Sequence, residues 1–241
     1  LNNNNSPVIT FAGNITIAST ASLSFSQLDN DNPDFIRVNS NSVVTNSGSV
    51  SINENLAGGN SNSTWINTAG SSLAVGGTLL STGTLDAAAV GNTVTYNGGA
   101  AQIIKNPQNS QYYNLTLTGT GDKSLQANTT ITGDLSFSST LNSTGFDINL
   151  GGNWTNTGVF TEGTQTVTLN GTSDQTVTST IFEEFLNLVI SKNGSTVILG
   201  SDVQVDNNLT IENALVNTGA NTLTLGSGIS QLGSLSRTAP A

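Results

Sequence analysis

The sequence predicts an all-β fold, a right-handed parallel β-helix with coils of about 19 residues, and three observations predict it. Gly or Asn recurs at 58, 77, 97, 114, 133, 152, 170, 187, 207 and 226, at nearly even intervals. Apolar residues alternate with polar ones at spacing two, as in Val167/Leu169, Leu188/Ile190, Leu209/Ile211 and Leu223/Leu225. This is the pattern of strands with one buried face. Finally, a longer period contains four of the short steps. Gly76-Gly77-Thr78-Leu79 is answered by Gly151-Gly152-Asn153-Trp154, and Gly133-Asp134-Leu135 by Asn207-Asn208-Leu209. Units this short cannot each enclose a core, so they must stack on their neighbours. The rival is a row of tandem β-sandwich domains, since NG and GT turns also serve hairpins.

Taken in order, residues 1–57 make the less regular coils of a single solenoid spanning 1–241. Coils can be drawn at Thr20 and Asn39, but residues 27–34 read as a bulging loop, because Pro33 cannot extend a ladder. From 58 to 241 the coils become regular. Gly133–Gly151, Gly152–Leu169, Asn170–Leu186 and Asn187–Asp206 each hold two or three strand-like pieces. The corners between them carry Gly and Asn, which tolerate positive φ. Asn residues stacked at one corner would form amide ladders. About twelve coils at ~4.8 Å each give a rod on the order of 50–60 Å long.

Composition narrows the function. The net charge is −10 with five Lys and Arg, which removes the electrostatic basis for nucleic-acid binding and for docking on anionic lipid. No apolar run is long enough to span a bilayer. Histidine and cysteine are absent, so Ser-His and Cys-His pairs cannot form and zinc loses its usual ligands. The expected reading is a non-enzyme without a cofactor.

Each candidate site has a plainer reading beside it. Asp29, Asp31 and Asp34 make the densest acidic stretch, a calcium candidate that lacks the loop pattern and closing Glu of an EF-hand. Glu183-Glu184 is the only adjacent carboxylate pair. Strand neighbours point to opposite faces, so the two cannot flank one sugar; a solvated edge beside Phe182 or Phe185 is the expectation. Thr-x-Thr recurs at 93/95, 116/118, 130/132, 166/168, 176/178 and 222/224, but intervening coils interrupt the column an ice-binding face would need. Trp65, Trp154, Tyr112 and Tyr113 could stack on sugars. Trp154 aligns with Leu79, Leu135 and Leu209, however, which places it in or near the core. Lys105, Lys123 and Lys192 fall in different coils, away from any acidic cluster.

The stretch Leu150 to Gly158, with Thr166 to Gly171, Asn187 to Ile190 and Gly233 to Thr238, resembles the repeats of very large Bacteroidota cell-surface proteins. The likeness covers about residues 67–238. It implies export by the type IX secretion system and attachment outside the outer membrane of a Gram-negative cell, in an adhesin or gliding-associated filament. The coil length is also similar to that of filamentous-haemagglutinin-type adhesins. The resemblance implies partners in the secretion machinery and among surface polysaccharides, and it offers no catalytic residues. The expected function is therefore a non-catalytic structural or adhesive segment of a longer repeat protein, with a glycan- or ice-binding module as the alternative.

Overall fold

The computed structural model describes residues 8–26, 35–227 and 233–238, and it is a β-solenoid. The described strands pair in parallel throughout. Apart from a short 3-10 turn at Gln108–Ser110, the described residues are strands and turns. No described helix is long and apolar enough to cross a membrane.

One face is an unbroken ladder of ten strands, running from Ser22–Phe25 through Ser49–Ile52, Asn114–Leu117 and Trp154–Asn156 to Leu215–Asn217. Nine steps of ~4.8 Å make it about 43 Å tall, shorter than twelve coils would be. The reason lies in the register. Leu23 stacks on Val50, then Leu73, Val94, Leu115, Leu135, Trp154, Val177 and Leu199. The step from Leu135 to Trp154 is the shortest of these, and it alone matches the spacing read from the sequence. Every other step is longer, so fewer coils fill the chain. The longest is the first, Leu23 to Val50, and residues 27–34, read from the sequence as a loop, lie outside the described residues.

The second face begins as a four-stranded ladder from Asn14–Ile17 to Thr84–Asp86. The Ala87–Tyr112 bridge joins it to the sheet that starts at Gln111–Tyr112 and continues through Ile148–Leu150 and Thr166–Leu169. The third face is discontinuous. It consists of three strands ending at Asn55–Gly58, then four from Gln102–Ile103 to Val159–Thr161. After these, Glu183–Phe185, the leading part of strand Glu183–Ser191, pairs only with Val203–Val205 of the next coil.

Inward positions alternate with outward ones, as the spacing-two pattern requires. Val167 and Leu169, and Leu188 and Ile190, are buried, with polar neighbours looking out. The core is one continuous column from Ile17 to Ala214. It contains both tryptophans, and Trp154 sits on Leu135 as aligned.

The corner residues do not form one column. Gly133 and Gly152 stack, the Gly152 N–H donating to the Gly133 carbonyl, at the entrance to the long sheet. Gly77 lies at the exit of that sheet, after Ser72–Val75. What recurs at the long period is a local clamp. The Gly98 N–H donates to Gln102 Oε1, whose Nε2 donates to the Val75 and Gly77 carbonyls. The Gly171 N–H donates to Gln175 Oε1, whose Nε2 reaches the Leu150 and Gly152 carbonyls. Because the long period is not a whole number of coils, the same clamp lands on different corners. Amide ladders do form, though on several corners: Asn46 with Asn67, and Asn187 with Asn207 and Asn208.

Candidate functional site

The two breaks in the third face each leave a cavity. The first, about 300 Å³, lies beyond Asn55–Gly58 and is lined by Arg37, Asn55, Ala57, Thr78 and Ser81. There Gly76 to Leu80 replaces a strand and keeps only the single bridge Leu56–Leu79. The second, about 150 Å³, lies between Val159–Thr161 and Glu183–Phe185. Its walls include Val159, Phe160, Ile181, Phe182, Glu183 and Glu184.

Carboxylates gather around this second break. Glu183 and Glu184 point to opposite faces, as adjacency on a strand dictates. Glu183 is turned inward and only 1% exposed, not set on a solvated edge. Trp154 Nε1 and Asn156 Nδ2 each donate to its Oε2 at 2.9 Å. Burial lifts the Glu183 carboxyl to about 7 despite these donors. Phe185 is buried as expected, whereas Phe182 is 47% exposed. Trp154 stands edge-on to Phe160 and Phe185, at centroid distances of 5.0 and 5.1 Å, so the inner wall of the groove is rigid.

Glu184 looks outward and meets two residues the sequence reading did not join to it. Oxygens of Glu162, Glu184 and Asp206 all lie within 4.8 Å of one another. Gln204 Nε2 donates to Glu184 at 3.0 Å and to Asp206 at 2.7 Å. Burial, then the charges of Glu184, Asp206 and Glu183, push Glu162 up to about 7. Burial and Asp206 raise Glu184 as well. Glu162 Oε2 is enclosed without a hydrogen-bond partner. Three carboxylates this close cannot all ionise freely at neutral pH, so the group holds a proton or attracts a cation. A signal for it existed. Positions 162, 184 and 206 are evenly spaced in the sequence, at the local coil length that carries Val177 onto Leu199. Cutting the chain into shorter coils hides that.

The other candidates disperse. Asp29, Asp31 and Asp34 lie outside the described residues. Trp65, Trp154 and Tyr112 are buried and turned from any sugar. Trp65 Nε1 donates to Asn67 Oδ1, and the Tyr112 hydroxyl donates to the Lys105 carbonyl. Tyr113 is half-buried. Lys123 and Lys192 are interior residues whose ammonium groups cap carbonyls: Gly98 and Gly121 for Lys123, Ser173 for Lys192.

The threonine pairs regroup. Thr93/Thr95 and Thr176/Thr178 share the outer side of the long sheet with Thr116, while Thr130 and Thr166/Thr168 lie on the second face. In true register the outer column of the long sheet reads Ser24, Ser51, Ala74, Thr95, Thr116, Ser136, Thr155, Thr178. It is uninterrupted apart from Ala74.

No family model, curated protein or solved structure matches this chain.

Proposed function

We propose that the chain is a non-catalytic structural or adhesive segment of a large secreted protein, acting as a stiff spacer held at the outer surface of a Gram-negative cell. The unbroken ten-strand parallel ladder supports this reading. Each coil is hydrogen-bonded to the next along the whole sheet, so stiffness comes from the ladder and length from repetition. The type IX export route and an adhesin or gliding filament as the parent rest on the resemblance of the repeats to Bacteroidota surface proteins.

A whole-coil deletion tests it. Removing residues 135–153 brings Trp154 into the register of Leu135, its own ladder partner. A spacer should keep its circular dichroism, shorten by ~5 Å in solution scattering, and leave attachment of cells displaying the parent protein intact. Loss of attachment by a deletion that still folds would overturn the spacer role.

A second reading, a glycan- or ice-binding face, is favoured by one observation, the hydroxyl column from Thr95 to Thr178 on the long sheet. Parallel strands hold these hydroxyls at a fixed ~4.8 Å repeat. A glycan array and an ice-recrystallisation assay separate the two readings. A clear positive that Thr95→Lys with Thr155→Lys abolishes would replace the spacer by a binding module.

A further inference from the structure

The groove at the second break of the third face offers apolar walls that no described residue covers. Val159, Ile181 and Phe182 are 56%, 74% and 47% exposed, and Phe160 closes the inner side. Such clustering is unlike most of the described surface, where outward positions carry hydroxyls and amides. Glu183 and Glu184 line the same groove, and Glu184 connects it to Glu162 and Asp206. The charges that shift Glu162, Glu183 and Glu184 are all negative. Within the fold, Lys123 and Lys192 are buried against carbonyls elsewhere.

We propose that this groove is a docking site for a basic, apolar segment of a protein partner, with one lysine or arginine side chain entering between Phe182 and Glu184. Charge complementarity selects the occupant. A cation is the group that the carboxylates lack, and the aromatic walls add attraction for it through their π faces. The cavity, about 150 Å³, suits one long side chain and not a folded surface. A second copy of this chain is a poor occupant, since its net charge of −10 opposes association. The apolar lip would take the residues flanking the cation, as in interfaces where an anchored side chain is ringed by apolar contacts. Such a groove serves a spacer and a binding module equally.

The test is calorimetric titration of the intact chain at pH 8 and low salt with the peptide acetyl-Leu-Lys-Leu-Arg-Leu-amide. Its counterpart with Glu at both charged positions is the control. Saturable binding of the basic peptide alone is expected, weakening as salt is raised. Glu184→Gln should weaken it about ten-fold through loss of a partly enclosed charge partner. Phe182→Ser and Ile181→Ser, at exposed positions that leave the core intact, should each weaken it several-fold. Equal binding of the acidic peptide, or no binding by either, overturns the proposal. So does an effect of Glu184→Gln without any effect of Phe182→Ser and Ile181→Ser. A calcium titration supplies the remaining arm. Calcium that binds through Glu162, Glu184 and Asp206 and displaces the peptide would make this a metal site and end the docking assignment.

Discussion

Replacing Glu183 by glutamine should make the solenoid more stable at pH 8 and flatten its response to pH. Glu183 is buried, accepts from Trp154 and Asn156, and has its carboxyl raised from 4.5 to about 7, chiefly by burial. A carboxyl raised by folding is protonated in the native state across a range where the unfolded chain has already lost the proton. Its stabilising contribution is therefore complete below about 4.5 and is lost as pH rises through 7. At 1.36 kcal/mol per unit, that window represents about 3 kcal/mol. Glutamine is isosteric and stays neutral. Its Oε1 can keep the Trp154 and Asn156 donors, so the change is the loss of the charge penalty set against the weaker bond from the Glu184 N–H. The assay is guanidinium denaturation of parent and Glu183→Gln at pH 5 and pH 8, followed by tryptophan emission, since Trp154 donates directly to this carboxylate. The parent should lose stability between the two pH values, and the variant should lose less, keeping the part that comes from Glu162, which is also raised to about 7, and from Glu184. A variant that falls in parallel with the parent would refute the burial argument. So would a variant less stable than the parent at pH 8.

Further outcomes follow from the corners and faces. Gln102→Ala and Gln175→Ala each leave a buried glycine N–H and two carbonyls without their clamp. Each should cost about 2–3 kcal/mol in denaturant midpoints, with the larger loss at Gln175, whose Oε1 also accepts from the Lys192 ammonium. Gly171→Ala would drive a Cβ into the Gly151 carbonyl oxygen. The expected loss is about 3 kcal/mol or failure to fold, whereas Gly194→Ala, with open space around it, should lose far less and only through its φ of +86°. Lys123→Met removes the ammonium that caps the Gly98 and Gly121 carbonyls. Thermal melts should drop despite the more apolar side chain, by about 2 kcal/mol. Thr95→Lys and Thr155→Lys, on the outer side of the long sheet, should change stability by less than about 0.5 kcal/mol.

Stacking itself was legible in the residues. Val167/Leu169 and Leu188/Ile190 announced buried strand faces, the alignment of Trp154 with Leu135 was a true ladder pair, and adjacency of Glu183 and Glu184 forced them apart. The coil length was not legible. The Gly-Gly corner and its glutamine are a local hydrogen-bonding unit, so the eye finds that unit recurring and takes its subdivision for the coil. Which of the three faces the unit reaches depends on the summed lengths of intervening coils, which irregularities such as the register shift between Phe185 and Asn187 alter. The acidic group is hidden by the same spacing. Glu162, Glu184 and Asp206 are far apart in the chain and meet only when the coil has its true local length, longer than the Gly and Asn spacing suggests.

The amino-acid order alone determined strands with one buried face, short repeating units and a chain poor in charge, while parallel stacking over tandem sandwiches was decided by the structure. Alternation fixes which side chains must leave water, and short units bury them only by stacking. Register was decided in three dimensions, because hydrogen bonding between coils is satisfied by any alignment that keeps apolar residues inward. The tertiary structure chose among those alignments, and in doing so it opened two gaps in one face and lined up hydroxyls on another. It also enclosed Glu183 against Trp154 and crowded three carboxylates at one corner. The raised affinity of Glu162, Glu183 and Glu184 for protons arises from that enclosure and from neighbouring negative charge, and neither exists in the extended chain.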